Sequence, residues 1–282
     1  MTIIHGMSNA EYHTDTTAIS ASGLKLFARS PAHYYAAYLD PNRPQRQPTA
    51  AMKLGTATHC AILEPAEFDA RYAMLPPGIN LRTNEGKATR DSIMASGRDI
   101  LDADDMAAVT RMASAFRENN TAAALFAKPH HVESSVFATI GGVKCKCRPD
   151  FMTSDGLLVI DVKTTRDASP EEFGKSAWNL GYHLQAAFYR RVISEATGTT
   201  PDFIFGCVES EAPHLTAFYS VPPYLLEYAD GLIDALLESY AECLKTDTWP
   251  GYGSDMQELS VPGYAMRAIE NENIDNWEIS HV

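Results

Sequence analysis

The segment Cys147-Arg148-Pro149-Asp150-Phe151-Met152-Thr153-Ser154-Asp155-Gly156-Leu157-Leu158-Val159-Ile160-Asp161-Val162-Lys163 constrains the fold more than any other. Leu157 to Val162 is an apolar run with Asp161 and Lys163 at its end, the pattern of a buried strand that delivers a carboxylate and an amine to an exposed end. Asp155-Gly156 just ahead of it is a two-residue hairpin signal, because such turns need residues that tolerate positive φ. A turn there pairs Ser154 with Leu157 and, counting outward, Asp150 with Asp161 and Arg148 with Lys163. Facing residues on an antiparallel pair hold their Cβ atoms about 4.5–5.5 Å apart, and like charges at that spacing repel. A cation between them removes the conflict. Lys163 shares the Asp161 face by the two-residue period, and two carboxylates beside a lysine suit a hard, oxygen-seeking ion such as Mg2+ or Mn2+. They also suit phosphodiester hydrolysis, in which a metal polarises the phosphate and generates hydroxide from water. A surface ion-pair cluster is the competing reading, the usual fate of mixed charges. An acid two residues before a lysine also recurs at Glu85-Gly86-Lys87, in a polar segment with no strand ahead of it, and this match is read as a decoy.

The chain of 282 residues, 45% hydrophobic and 21% charged, reads as one soluble globular unit over 1–282. Its parts are a mainly helical region over 1–125, a sheet core over 126–245 and an irregular tail over 246–282. No apolar run approaches about 18 residues and the amino end lacks a signal-peptide pattern, so no membrane is involved and a cytoplasmic location is expected. Five cysteines with no CxxC pair argue against a disulfide framework and a zinc ribbon, and nothing in their spacing supports an iron–sulfur cluster. The net charge of -13 counts against a DNA-binding reading, since a protein that coats DNA is normally basic and one that grips a strand within a small cleft needs local positive charge there.

In chain order, Ile19 to Pro31 reads as a short helix begun by serines and stopped by proline, and Ala32 to Leu39 as a second. Asp40 to Thr49 is a proline-rich loop. Leu54 to Leu63 is a helix with His59 at its middle, where a lone histidine is more often packed than ligating. Helices are expected at Asn84 to Ser96 and Asp104 to Asn119, the latter capped by Asp102 or Asp104. His131 to Ile140 and Val143 to Phe151 form a hairpin about Gly141-Gly142, with Glu133 near its start. Ser169-Pro170-Glu171-Glu172 reads as a capping box opening a helix that breaks near Gly181 and stops at Gly198. On it Tyr182, Gln185 and Tyr189 form one stripe, more polar than a core face. Strands at Pro201 to Val208 and Leu215 to Val221 precede a long amphipathic helix to about Lys245, and Trp249 to Tyr264 is irregular.

The ordered set of Leu54-Gly55-Thr56-Ala57-Thr58-His59-Cys60, Leu63-Glu64-Pro65-Ala66-Glu67-Phe68, Cys147-Arg148-Pro149-Asp150, Asp161-Val162-Lys163-Thr164-Thr165 and Tyr182-His183-Leu184-Gln185-Ala186-Ala187-Phe188-Tyr189 resembles the nuclease domain of RecE-type exonuclease VIII. That family belongs to the RecB-like branch of the PD-(D/E)xK nucleases. The likeness extends to Gly6-Met7-Ser8-Asn9, Tyr12, Ile19-Ser20, Ser30-Pro31 and Trp249-Pro250, and so spans nearly the whole chain. It implies an α/β, restriction-endonuclease-like core, a central mixed sheet flanked by helices, with a helical region ahead of it. It implies that Asp150, Asp161, His59 and the Val162 carbonyl hold Mg2+, with Mn2+ as a substitute, and that Glu133 is a further acidic candidate. Lys163 would orient or help deprotonate the attacking water and stabilise charge on the phosphate, with Gln185 and Tyr189 positioning the strand or the lysine. The resemblance also implies ATP-independent digestion of linear double-stranded DNA from its ends, the 5′-ended strand being degraded to leave a 3′ overhang. It further implies a toroidal homo-oligomer, a tetramer in preference to a trimer, and a RecT-like single-strand annealing partner. A channel needs positive charge only on its lining, for which Lys25, Arg43, Arg46, Lys53 and Arg148, with Thr164 and Tyr182, are the candidates. The competing functions are an endonuclease or single-strand nuclease on the same fold, and a non-catalytic acidic partner of DNA processing.

Overall fold

The computed structural model describes residues 2–44, 47–263 and 266. The chain opens with β1 (Thr2–Ile4) and α1 (Asn9–Thr14), a short helix fixed at its start by a capping box between Ser8 and Glu11. Next, β2 (Ile19–Ser20) runs into α2 (Ala21–Arg29). The helix expected from Ile19 therefore starts two residues later, because Ile19 is drawn into parallel pairing with Cys145 and Ser20 becomes the cap. Pro31 opens α3 (Pro31–Tyr34), which continues as a wider π turn over Tyr35–Leu39.

The rest of the first half is helical. It comprises α4 (Ala50–Leu63), α5 (Pro65–Arg71), α6 (Asn84–Ala95), α7 (Ala103–Glu118) and α8 (Asn120–Phe126). Asp102 caps α7 through the Asp105 N–H at 2.8 Å. Two short strands, β3 (Tyr72–Met74) and β4 (Asp99–Leu101), pair as a separate parallel ribbon. Glu85-Gly86-Lys87 lies on α6, where a Cβ on Gly86 would come within 2.1 Å of the Asn80 carbonyl oxygen. Close packing accounts for that glycine.

The sheet region contains β5 (His130–Val132), β6 (Ser135–Ile140), β7 (Val143–Cys147), β8 (Phe151–Thr153) and β9 (Leu158–Thr165). Two helices, α9 (Pro170–Asn179) and α10 (Tyr182–Thr197), follow before β10 (Asp202–Glu209), β11 (Thr216–Ser220) and α11 (Pro223–Thr246). The strands form a four-stranded sheet, β1-β6-β7-β2, and a five-stranded one, β11-β10-β9-β8-β5. Within the second, β9 and β10 run parallel and the other pairs antiparallel, so it is a mixed sheet.

Two strands expected to be continuous are each broken in two, and their ribbon passes from one sheet to the other. The breaks stand side by side, at Glu133-Ser134 and at Arg148-Pro149-Asp150. Pro149 has no N–H to give a ladder. Opposite it, Glu133 adopts left-handed φ of 50° and donates its N–H to the Asp150 carbonyl at 3.1 Å, which fixes the corner. Arg148 is therefore not opposite Lys163 as the count predicted.

Beyond the corner the counted register is the one formed, with Phe151 against Ile160 and Met152 against Val159. The turn is wider than two residues. Of Asp155 and Gly156 only the glycine takes positive φ, and its N–H donates to Thr153 at 2.8 Å, so residues 154–157 loop out together. Side chains alternate across the sheet: Met152, Val159, Phe203 and Phe205 join a core with α2, α10 and α11, and Phe151, Ile160, Val162 and Val208 join one with α4 and α7. Gly181 at φ 64° separates α9 from α10, and Gly198 at φ 76° ends α10. At the start of α9 the capping-box bond is absent. Ser169 makes no side-chain cap and instead donates its N–H to Asp167 at 2.7 Å.

Candidate active site

The carboxyl end of β9 lies between α10 on one face of the sheet and α4 on the other. Asp161 and Lys163 project to the α10 side, where the Lys163 ammonium pairs with Asp161 Oδ1. Gln185 bridges the two, its Nε2 donating to Asp161 Oδ2 at 2.6 Å and its Oε1 accepting from Lys163 Nζ at 3.4 Å. One turn earlier on α10, the Tyr182 ring centroid lies 4.7 Å from the Lys163 ammonium. One turn later, Tyr189 donates its hydroxyl to the Arg148 carbonyl at 3.4 Å and ties the helix to the ribbon corner. Tyr182 and Tyr189 line the cleft, and Gln185 is buried.

Asp150 leaves the ladder at the corner and turns back onto β9. Its Oδ2 accepts the Val162 N–H at 2.6 Å and lies 3.5 Å from His59 Nδ1. His59 reaches this point because α4 carries small residues toward β9. Gly55 sits over Thr164, and Ala57 and Thr58 are fully buried. The other acid at the corner, Glu133, pairs its Oε2 with Arg148 Nε at 2.7 Å, while Arg148 Nη2 donates to the Met7 carbonyl at 2.9 Å. A cleft of about 1300 Å3 joins these groups. It is lined by His59, Glu133, Asp150, Lys163, Tyr182 and Tyr189 together with the loop before α1, the start of α2 and the exposed face of α4, whereas Asp161 and Gln185 are buried.

Burial, and then the Asp161 charge, push the Asp150 carboxyl well above the carboxylate range, against the opposing pull of Lys163 and the Val162 N–H. Glu133 is pushed up to about 7 by burial and Asp150, Arg148 opposing. Burial works against the Lys163 charge, but Asp161 and Asp150 together outweigh it, so Lys163 is a cation at neutral pH. Burial and Lys163 hold His59 below the ordinary histidine range, which leaves the imidazole neutral with a lone pair to offer.

These features test the fit of a divalent cation. Asp161 Oδ1 is buried with the Lys163 ammonium as its partner, and Asp150 is a carboxyl pushed toward protonation by burial and by a second carboxylate. Oxygen donors in that condition, beside a neutral imidazole, suit a hard cation that replaces the missing positive charge. Among the described residues, no three His, Cys, Asp or Glu side chains gather closely enough to hold an ion by themselves. The physical reason is visible at Asp161, whose two oxygens are held by Lys163 and Gln185.

The remaining sequence candidates scatter. Thr164 lines the cleft and Lys25 borders it beside Tyr182. Arg43 donates to the Asp40 carbonyl within its own loop, and Lys53 is exposed on α4 away from the cleft lining. Arg46 lies outside the described residues, as does Tyr264 at the end of the irregular tail. Arg148 is engaged by Glu133 and Met7, so it acts within the corner and not as a free contact. Residue patterns alone gave no role to Met7 or Tyr12. The Tyr12 ring lies 5.5 Å from the Arg148 guanidinium and 4.5 Å from the Lys146 ammonium, and Lys146 donates to the Tyr12 and Asp15 carbonyls. The Ser8 and Glu11 capping box was the one local signal that a helix stood there.

A family described as a PDDEXK-like domain of unknown function, DUF3799, matches residues 20–259. The chain belongs to this family. The PDDEXK-like fold also appears in a solved structure from Eubacterium rectale, described as a "putative exonuclease", which is similar with a TM-score of 0.65 at 12% identity over 94% of this chain and 99% of that one. A second solved structure, described as SSO0001, aligns with a TM-score of 0.32 at 14% identity over 83% of this chain and 88% of that one. No curated protein matches the sequence. Pro149-Asp150 and Asp161-Val162-Lys163 lie within the matched residues. Among the described residues no helix is long and apolar enough to cross a membrane.

Proposed function

We propose that this chain is a divalent-metal-dependent nuclease that digests linear double-stranded DNA from its ends. The observation that carries this reading is the convergence of Asp150, Asp161 and Lys163 at the end of β9, beside an open cleft that Asp150 and Lys163 line, with both carboxylates buried and anchored. The residues suited to hold the metal are Asp150 and Asp161, with His59 and the Val162 carbonyl beside them. When bound, a divalent cation supplies polarisation of the phosphate and lowers the pKa of water.

The chain's own groups do the rest. The Lys163 ammonium lies where negative charge grows on the phosphate and stabilises it without reorganisation. Gln185 fixes that ammonium and the Asp161 carboxylate relative to each other, and the Tyr182 face steadies the cation. The Val162 N–H sets the direction of Asp150, and Tyr189 holds the corner from which Asp150 projects.

The likeness to RecE-type nucleases supports the finer parts of the proposal. These are Mg2+ with Mn2+ as a substitute, degradation of the 5′-ended strand, action in the cytoplasm, a toroidal tetramer or trimer, and transfer of the overhang to an annealing protein. A time course on end-labelled linear duplex, beside covalently closed duplex, tests the reading. Linear DNA is expected to shorten with Mg2+ and not with EDTA, and Lys163→Ala to slow it by about a hundredfold or more. Closed circles cut as fast as linear DNA would instead favour an endonuclease, and linear duplex left intact with both metals would end the proposal.

A further inference from the structure

Lys25 on α2 occupies an unusual place. Its ammonium lies 5.6 Å from the centroid of the Tyr182 ring, the same ring that Lys163 approaches at 4.7 Å, so two cations share one aromatic ring. One of its three N–H groups donates to the Leu180 carbonyl at 3.1 Å. The Leu180-Gly181 turn folds onto the lysine stem, and a Cβ on Gly181, already at φ 64°, would stand 2.9 Å from Lys25 Cδ. The head group is therefore held in place. Among the described residues Lys25 has no carboxylate partner, whereas Lys163 has Asp161, Arg148 has Glu133 and Arg71 has Glu64.

Like charges held near one ring repel, and a carbonyl with a π face offsets little of that. Burial and the Lys163 charge accordingly lower the Lys25 pKa to about 8. An oxyanion with several acceptor oxygens would engage the unused N–H groups and relieve both effects. Lys25 is half-buried at the border of the cleft. Leu180 and Tyr182 on one side, and Ser22 one turn earlier on the Lys25 face of α2, line the cleft.

We propose that Lys25 contacts the nucleic-acid backbone, binding a phosphate next to the one that reacts at Lys163. The proposal rests on the nuclease reading and adds a binding residue to it. Lys25 acts in ground-state binding and Lys163 in the chemical step.

The test uses the full chain and a fluorescent linear duplex, with Ca2+ in place of Mg2+ for binding and Mg2+ for cleavage. Lys25→Met is expected to weaken binding roughly tenfold and to reduce the slope of log K against log salt by about one, with cleavage at saturating DNA near the wild-type rate. Lys25→Arg is expected to keep most of the affinity and the wild-type slope. Unchanged melting temperatures for both variants would place the effect in the contact and not in folding. Wild-type affinity and slope in Lys25→Met would overturn the proposal, and so would a slower saturated rate with unchanged affinity, which would make Lys25 a support for Lys163. A wild-type protein that neither binds nor cuts the duplex would remove the nuclease reading first and this one with it.

Discussion

Burial and a neighbouring carboxylate both oppose ionisation of Asp150, and the consequence is measurable without any substrate. Its folded-state pKa lies above that of the unfolded chain. Between those two values the native protein keeps a proton that the unfolded chain has released, so stability falls as pH rises through that window and levels off above it. Asp150→Asn keeps an oxygen for the Val162 N–H and removes the charge. In EDTA the variant is expected to lose less stability between pH 5 and 9 than the wild type, and to melt a few degrees higher at the alkaline end. Adding Mg2+ should raise the wild-type melting temperature and leave the variant unchanged. Gln185 offers a complementary case, because it touches Asp161 and Lys163 at once. Gln185→Leu removes a buried hydrogen bond to a charged group, of the order of 1.5–3 kcal/mol. If that loss falls on the chemical step, single-turnover cleavage slows by about ten- to a hundredfold with DNA affinity unchanged.

The element that matters most is the ribbon that changes sheets at Glu133 and Arg148 to Asp150. A straight hairpin would have left Asp150 in the ladder, pointing with Asp161 toward α10. The corner frees it to turn back onto the Val162 N–H and to meet His59, so the two faces of β9 contribute to one site. The parallel β9–β10 pair beneath is held closely by α7. Gly206, which pairs with Val162, faces Phe116 and Phe218, and an added Cβ would lie 2.9 Å from Phe116 Cζ and 3.0 Å from Phe218 Cε1. Gly206→Ala is expected to cost about 1–3 kcal/mol of stability through overpacking. A melting temperature equal to the wild type would show that α7 can withdraw freely.

At the scale of the molecule, a net charge of -13 has to coexist with a nucleic-acid substrate. The cleft cations are largely paired with acids of the chain, as Arg148 is with Glu133 and Lys163 with Asp161. Few phosphates are then neutralised by unpaired cations. The salt dependence of DNA binding is accordingly expected to be shallow, with log K falling against log salt with a slope of about -1 to -3, where a protein that coats duplex approaches -10. Fluorescence anisotropy across a salt series measures it. A steep slope would overturn this expectation and require more unpaired cations at the DNA than the cleft ion pairs leave.

Local patterning fixed much of this architecture. The β-branched run of β9, its register against β8, the breaks at Gly181 and Gly198, the Asp102 cap and the polar stripe on α10 all follow from neighbours within a few residues, where sterics and two- or 3.6-residue periods govern. Tertiary packing decided the rest: the change of sheet at Pro149, the pairing of Arg148 with Glu133 in place of a position across from Lys163, the approach of His59 to Asp150, and the shared ring of Lys25 and Lys163. The last two join residues far apart in sequence, and all depend on the shape of the two cores, which no local period encodes.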